Sequence, residues 1–103
     1  MTTKDKPVVT ERELQRVIVD YIYRGRWDYY HTANPRFSLR GFPDLVIIRP
    51  PEILFVELKA ERGRVSPEQK AWLDQLEACG LETHVWRPSD IPEAIERLKR
   101  KPE

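Results

Sequence analysis

The sequence predicts a single α/β (α+β) domain with the element order α-β-β-β-α-β-α and a mixed sheet flanked by helices. Three observations lead to this prediction. Helix-start signals stand at Thr10 and Ser66, and short apolar runs at 45–48 and 53–56 lie between them. Those runs have the length of buried strands and are far too short to cross a bilayer. The chain of 103 residues is long enough to bury one hydrophobic core.

The first helix is predicted to begin after Thr10, because Glu13 follows at the spacing of a capping box. Gly25 is predicted to end it. Apolar residues recur between these signals at the helical period: Leu14, Val17, Ile18, Tyr21 and Ile22. We therefore expect one side of this helix to pack against the rest of the domain.

Three strands are predicted next, over 27–32, 44–48 and 53–59. The last two flank a turn at 49–52 that contains adjacent prolines, which cannot donate the hydrogen bonds of a strand ladder. These two strands are therefore expected to form a hairpin. The segment 34–42 is interpreted as a loop.

The remaining elements are predicted as a helix from Ser66 to Gly80, a strand over 83–87 and a helix from Asp90 to Lys99. Ser66, followed by proline and then by Gln69, provides a capping box for the first of these helices. The side chains expected to lie inward are Ala71, Trp72, Leu76, Cys79, Trp86, Ile95 and Leu98.

Composition excludes several classes of protein. The net charge is +1, from 18 basic and 17 acidic side chains, which is not that of a protein held to nucleic acid by bulk charge. The single Cys79 rules out an internal disulfide and a cysteine-based zinc cluster. No apolar signal region follows Met1, so we expect a cytoplasmic protein without a membrane partner. We expect a flexible N-terminal tail at 1–9, one domain at 10–99 and a C-terminal tail at 100–103.

Three charged residues form a candidate catalytic site. Side chains alternate along a strand, so Glu57 and Lys59 share one face while the apolar residues between and before them face the core. Asp44 opens the paired strand of the hairpin and can therefore lie beside Glu57. Two adjacent carboxylates repel unless a cation binds both, and hard oxygen ligands favour Mg²⁺, with Mn²⁺ as a substitute. Lys59 could then activate a water or stabilise charge on a phosphate, whereas the alternative is a surface ion pair between Glu57 and Lys59.

Five sequence blocks resemble the virus-type replication–repair nuclease (VRR-NUC) domain of the PD-(D/E)XK nuclease superfamily. The resemblance covers about residues 10–98 and rests on all five blocks occurring in this order. The blocks are Glu11-x3-Gln15, Ser38-Leu-Arg-Gly-Phe-Pro-Asp44-Leu, Phe55-Val-Glu57-Leu-Lys59-Ala, Ser66-Pro-x-Gln69-x2-Trp72-Leu and Gly80.

The resemblance implies a restriction-endonuclease-like core and a divalent-metal site with no small-molecule cofactor. It implies that Asp44, Glu57 and the backbone carbonyl of Leu58 hold the metal, and that Lys59 is catalytic. It assigns Glu11 in the first helix as a further acid that joins the metal site.

Two implied site residues also have ordinary structural explanations. Glu11 shares a helical stripe with Gln15 and Ile18, but acids are common in the first turn of any helix. Gln69 would support the site according to the resemblance, and it would also complete the capping box with Ser66. Both interpretations stay open for each residue.

Loop arginines are the predicted DNA contacts, because they flank the strands that carry the carboxylates. Ordinary solvated loop charge is the alternative for each of them. The residues assigned to DNA binding are Arg36, Ser38, Arg40, Arg62 and Arg64.

The function expected from these residues and from the resemblance is a Mg²⁺-dependent, structure-specific DNA endonuclease. Small single-domain members of the family are phage or prophage proteins and look like Holliday-junction resolvases, which implies branched DNA as substrate and a homodimer as working unit. One alternative is a flap, nick or general duplex nuclease that acts with a replication or packaging partner. A second alternative is a non-catalytic DNA-binding module with the same fold.

Overall fold

The computed structural model describes residues 9–32 and 39–102, which form three α-helices, a short 3-10 helix at Pro88–Asp90 and one sheet. The helices are α1 (Glu11–Arg24), α2 (Pro67–Ala78) and α3 (Ile91–Lys99), and the strands are β1 (Asp28–His31), β2 (Leu45–Arg49), β3 (Glu52–Leu58) and β4 (Glu82–Trp86). The predicted element order is confirmed. The predicted N-terminal tail lies outside the described residues except for Val9. None of the described helices combines the length and apolarity needed to cross a bilayer.

Both capping boxes form as predicted, and they fix where α1 and α2 begin. The Thr10 hydroxyl accepts a hydrogen bond from the backbone N–H of Glu13, and the Glu13 carboxylate accepts one from the Thr10 N–H. Ser66 and Gln69 make the equivalent pair at the start of α2. Each box satisfies N–H groups that have no partner within the helix.

The sheet has the strand order β1-β2-β3-β4. The strands β1, β2 and β3 pair antiparallel, and β4 adds parallel to β3 after the crossover through α2. The predicted mixed sheet and the predicted hairpin are therefore both confirmed. Because β4 runs in the same direction as β3, the carboxyl ends of these two strands lie at one end of the sheet, beside the start of β2.

The hydrophobic core lies between one face of the sheet and the helices α1 and α3. Leu14, Ile18 and Ile22 of α1 are fully buried, as the helical period predicts. The buried partners from the sheet and α3 are Leu45, Ile47, Leu54, Val56, Leu58, Trp86, Ala94 and Leu98.

The helix α2 lies on the opposite face, and several packing predictions for the helices need correction. In α2, Ala71 is exposed and Leu76 is only half-buried, since no residue of this helix is fully buried. Cys79 is exposed rather than buried, since it is the C-terminal cap residue of α2 and lies past its last turn. Trp72 is half-buried against Phe42, with 5.1 Å between ring centroids. In α3 the fully buried residues are Ala94 and Leu98, whereas Ile95 is only half-buried.

A buried arginine ties the far end of the sheet together. The Arg97 side chain is almost wholly buried and donates hydrogen bonds to both carboxylate oxygens of Glu82, at 2.8 and 2.9 Å, and to Glu52 at 2.9 Å. These acids begin β4 and β3, so Arg97 joins α3 to both strands. Its guanidinium also lies 5.4 Å from the ring of Trp27, whose indole N–H donates to the carbonyl of Leu98. The hydrogen bonds from Arg97 lower the pKa of Glu82 to about 2.

The substitution Arg97→Gln should lower the free energy of unfolding by about 2–3 kcal/mol at neutral pH, because Glu82 loses its arginine partner. The pKa of Glu82 lies below its ordinary 4.5, so this pairing contributes its full stability above that pH. The contribution is lost as the pH falls from 4.5 toward 2. Urea titrations across this range should show a steeper acid loss in the wild type than in the variant. Equal acid losses would contradict this account, and exposed Arg100→Gln serves as the control.

Candidate active site

The predicted carboxylates meet at one end of the sheet. In the β2–β3 register Leu45 lies opposite Val56, so Asp44, one residue before β2, lies opposite Glu57. The hairpin therefore brings the two side chains together as the sequence predicts. The apolar residues on either side of Glu57 are buried in the core, and Glu57 itself points to the face that carries α2.

Asp44 is fixed by contacts on both its side chain and its backbone. One carboxylate oxygen, Oδ2, accepts a hydrogen bond of 2.8 Å from the backbone N–H of Leu58. The carbonyl of Asp44 accepts another from the N–H of Thr32, the residue after β1. The Thr32 hydroxyl donates to the carbonyl of Pro43. No sequence motif marks Thr32, so sequence reasoning missed its part in holding Asp44.

Glu57 is a buried acid with only part of its hydrogen-bonding capacity used. The residue is 2 % exposed. Its Oε2 atom accepts a hydrogen bond of 2.8 Å from Gln69 and lies 3.5 Å from the Nζ atom of Lys59. Its Oε1 atom is buried and has no hydrogen-bond partner among the described residues. An unpartnered oxygen on a buried carboxylate is costly, and it leaves one position free for a ligand.

Burial raises the pKa of Glu57 to about 7, and the neighbouring charge on Asp44 raises it as well. Lys59 acts in the opposite direction, both by its charge and by its contact with Glu57. The fold therefore holds an acid that is hard to ionise without another cation. A strongly perturbed carboxyl beside a second one is typical of functional sites.

The donor set fits a divalent cation. Two carboxylates supply hard oxygen ligands, and the unpartnered Oε1 of Glu57 is one of them. Leu58, between Glu57 and Lys59, offers a backbone carbonyl. Within 9–32 and 39–102, no three His, Cys, Asp or Glu side chains are grouped closely enough to hold a metal by themselves. The two carboxylates that the geometry brings together, and that would hold such a cation, are thus Asp44 and Glu57.

Glu11 is placed differently from this pair. It is exposed at the start of α1 and lines a groove of about 570 Å³ between α1 and β1. The other residues lining this groove are Arg12, Gln15, Arg16, Val19, Tyr29 and His31. Because His31 ends β1 next to Thr32, the groove opens at the same end of the sheet as Asp44. A metal-binding role for Glu11 stays a prediction.

Gln69 makes contacts that fit both of the interpretations that the sequence left open. Its Oε1 atom accepts a hydrogen bond from the N–H of Ser66, which completes the capping box, and its Nε2 atom donates to Glu57. Gly41, which has a positive φ of 88°, lies against the same turn of α2. A Cβ atom at that position would lie within 2.6–2.8 Å of backbone atoms of Glu68 and Gln69. The loop before Asp44 can therefore lie directly against the first turn of α2.

The predicted DNA-contacting residues are only partly described. Arg40, Arg62 and Arg64 are exposed in the loops on either side of the carboxylate pair. Arg36 and Ser38 lie outside the described residues. Sequence reasoning missed Arg87, which follows β4 and donates to carbonyl groups of the loop after Lys59. A lone arginine after a strand carries no signal of that contact.

A family model for the VRR-NUC domain matches residues 8–90 of the chain. The chain belongs to the VRR-NUC domain family. The match spans both carboxylates, Lys59 and the helix that supplies Gln69. The site described above thus lies in a nuclease domain, and the family resemblance that the sequence motifs indicate is confirmed.

Solved structures share this fold. A structure described as a VRR-NUC domain protein is 21 % identical, with a TM-score of 0.67, and covers 88 % of each chain. A second VRR-NUC domain has 23 % identity and a TM-score of 0.69, over 84 % of this chain and 96 % of its own. Hjc, a Holliday junction resolvase from the archaeon Archaeoglobus fulgidus, has 17 % identity and a TM-score of 0.55, over 75 % of this chain and 69 % of its own. A search of curated proteins finds no match. The predicted fold class is therefore confirmed.

The substitution Glu57→Gln should stabilise the metal-free protein above about pH 7, by about 1–3 kcal/mol. The pKa of Glu57 is raised from 4.5 to about 7, so ionisation destabilises the fold and wild-type stability falls as the pH rises through that interval. A glutamine can still accept the hydrogen bond from Gln69. Denaturant titrations in the presence of a chelator measure the effect.

The matched control is Glu93→Gln on α3, an exposed acid whose replacement should leave the pH dependence unchanged. Adding Mg²⁺ should raise the melting temperature of the wild type and have little effect on Glu57→Gln. A pH-independent wild type in this interval would contradict the placement of Glu57.

Proposed function

We propose that this VRR-NUC domain is a Mg²⁺-dependent, structure-specific DNA endonuclease that hydrolyses phosphodiester bonds. The observation that carries the proposal is the buried, partly unpartnered Glu57 beside Asp44, with Lys59 adjacent, in a domain of a nuclease family. An arrangement of this kind has little value for stability and is suited to binding a cation and a phosphate.

The proposed mechanism assigns a separate task to each residue. Asp44, Glu57 and the carbonyl of Leu58 would hold Mg²⁺, or Mn²⁺ in its place. A bound divalent ion supplies Lewis-acid stabilisation of charge on the phosphate and lowers the pKa of water. Lys59, with its Nζ atom 3.5 Å from Glu57, orients the attacking water or stabilises the charge that develops on the phosphate. Gln69 keeps the Glu57 carboxylate oriented through its 2.8 Å hydrogen bond.

DNA is the proposed partner because exposed cations surround this end of the sheet. Arg40, Arg62 and Arg64 flank the carboxylates, while Arg12 and Arg16 line the groove between α1 and β1. Phosphate groups are the natural ligands of such arginines. Arg36 and Ser38 complete the proposed DNA-binding set, and Glu11 is proposed to join the metal site once DNA and metal are bound.

Branched DNA is the proposed substrate. The fold is shared with an archaeal protein described as a Holliday junction resolvase. The alternative is a flap, nick or general duplex nuclease. Cleavage assays on four-way junction, flap, nicked and plain duplex DNA in Mg²⁺ distinguish these substrates. A metal-dependent preference for the junction supports the proposal, whereas equal cleavage of plain duplex favours the alternative.

Single substitutions test the catalytic assignment. Asp44→Ala, Glu57→Ala and Lys59→Ala should each abolish cleavage while the fold stays intact, because they remove charge rather than core volume. Mg²⁺ and Mn²⁺ should support turnover, and Ca²⁺ should support binding with poor cleavage, since its coordination shell is larger and looser. Circular dichroism checks the fold of each variant.

The control for these variants is Glu93→Ala, which removes an exposed carboxylate on α3 and should cleave like the wild type. Near-wild-type cleavage by purified Glu57→Ala in Mg²⁺ would falsify the assignment of the site.

A homodimer is the proposed working unit, because a junction needs two symmetric cuts and each chain offers one site. The sheet face that carries α2 provides a candidate surface for pairing. Tyr30 lies opposite Val46, and Ile48 lies opposite Ile53, all on this face. The described part of the chain leaves Tyr30 62 % and Ile48 38 % exposed. Large apolar side chains in this setting are typical of interfaces.

Light scattering at micromolar concentration should give about twice 12.3 kDa. Tyr30→Glu should reduce the mass to that of one chain, because a charge cannot be buried at an apolar interface. Tyr23→Glu is the matched control, since Tyr23 on α1 is slightly more exposed, at 69 %, and lies away from this face. A monomer both alone and on DNA, with uncoupled single nicks, would instead favour the nicking or flap alternative.

A further inference from the structure

The loop that joins β3 to α2 lies between Lys59 and the start of the helix that supplies Gln69. Lys59 precedes it, and Ser66, the cap that pairs with Gln69, follows it. Any movement of this loop therefore acts on both Lys59 and the helix turn that holds Glu57. The loop's two arginines, Arg62 and Arg64, are exposed to solvent, so the contacts that fix the loop are made by its backbone and by Glu61.

One arginine outside the loop binds its backbone. The Nη1 atom of Arg87 donates to the carbonyl oxygens of Ala60, Glu61 and Gly63, at 3.0, 3.2 and 2.6 Å. Three carbonyl groups thus turn toward a single guanidinium. Charge-assisted hydrogen bonds of this kind are stronger than neutral ones, so Arg87 strongly favours this loop conformation.

A second set of contacts runs in the opposite direction. The carboxylate of Glu61 accepts hydrogen bonds from the backbone N–H and the hydroxyl of Ser89, at 2.9 and 2.8 Å. The N–H of Arg87 donates to Asp90, which fixes the start of the segment that carries the guanidinium. We call the paired contacts of Arg87 and Glu61 the loop clasp. The clasp attaches the loop to the segment after β4 at two points.

Gly63 links the loop clasp to Lys59, because it contacts Arg87 and lies alongside the lysine side chain. The N–H of Gly63 donates to the carbonyl of Ala60, which closes a tight turn next to Lys59. A Cβ atom on Gly63 would lie 3.5 Å from the Cδ atom of Lys59, so the lysine side chain runs alongside this glycine. The backbone N–H of Lys59 is held by the carbonyl of Trp86, the residue just before Arg87.

We propose that Arg87 is a positioning residue for Lys59, acting through the carbonyl of Gly63 to set the direction of the lysine side chain. The proposal rests on the proposed nuclease function, and it adds a residue that lies outside the carboxylate site. The contacts that carry this role are those from Nη1 of Arg87 to the loop carbonyls.

The test compares two arginines that hold backbone carbonyls. Arg87→Gln should lower kcat for DNA cleavage by about 10- to 100-fold with KM nearly unchanged, since a misdirected catalytic group affects the reaction more than binding. Arg87→Lys keeps the charge with fewer oriented donors, so its kcat should be intermediate. The matched control is Arg49→Gln, because Arg49 donates to the carbonyls of Gly25 and Arg100 at the far end of the sheet. It should lower the melting temperature and leave kcat unchanged.

A second measurement follows the loop without using activity. Trypsin cleaves after arginine, so release of the loop in Arg87→Gln should accelerate cutting after Arg62 and Arg64, and Arg49→Gln should not. The proposal is overturned if kcat of Arg87→Gln equals that of the wild type, if only KM rises, or if Arg49→Gln lowers kcat equally. A wild type that does not cleave DNA in Mg²⁺ would instead contradict the proposed function itself.

Discussion

The carboxylate of Glu57 is buried next to a second carboxylate, and much of the surrounding structure supports this unfavourable placement. Strand alternation directs Glu57 away from the core while its neighbours on β3 are buried in it. The loop before Asp44 reaches the site because Gly41 permits close contact with α2. Gln69 provides one hydrogen bond and Lys59 provides one positive charge. The remaining oxygen of Glu57 has no partner among the described residues. A bound cation would therefore stabilise this carboxylate.

Stability and function are separated along the strands. At the end opposite the carboxylates, Arg97 satisfies Glu52 and Glu82, and the pKa of both acids is lowered by arginine hydrogen bonds. At the site end, burial raises the pKa of Glu57 instead. The surroundings therefore stabilise the ionised form of a glutamate at one end of β3 and destabilise it at the other. The buried core and the hydrogen bonds of Arg97 therefore stabilise the fold away from the site, whereas the buried carboxylate of Glu57 destabilises it at the site.

Local sequence signals predicted much of the fold. The capping boxes at Thr10 and Ser66 gave the starts of α1 and α2, since side-chain-to-backbone contacts over three residues depend little on the rest of the fold. The hairpin placed Asp44 next to Glu57 for a similar reason, because a short turn fixes the register of its two strands. The family motif added Gln69, whose amide nitrogen does contact Glu57.

The features that sequence reasoning missed all depend on tertiary distance. The apolar positions of α2 fit a helical period, but none of them is fully buried, and no period in the sequence reveals how closely a helix packs. Cys79 is exposed because it follows the last turn of α2. Arg97 stands among charged residues at the end of the chain, and only the fold brings it to Glu82, 15 positions away. Arg87 contacts loop carbonyls 24–27 positions earlier, and backbone acceptors leave no trace in residue identity.

The two contacts of Gln69 couple the folding of the first turn of α2 to the state of the carboxylate site. One amide side chain closes the capping box with Ser66 and also holds Glu57, so fraying of the first helical turn removes a hydrogen bond from the buried acid. Conversely, any ligand that orders Glu57 favours the folded first turn by the same free energy, because linkage is reciprocal. Fraying of the first turn of α2 and ligand binding at the carboxylates are therefore coupled equilibria, because both depend on the hydrogen bond from Gln69 to Glu57.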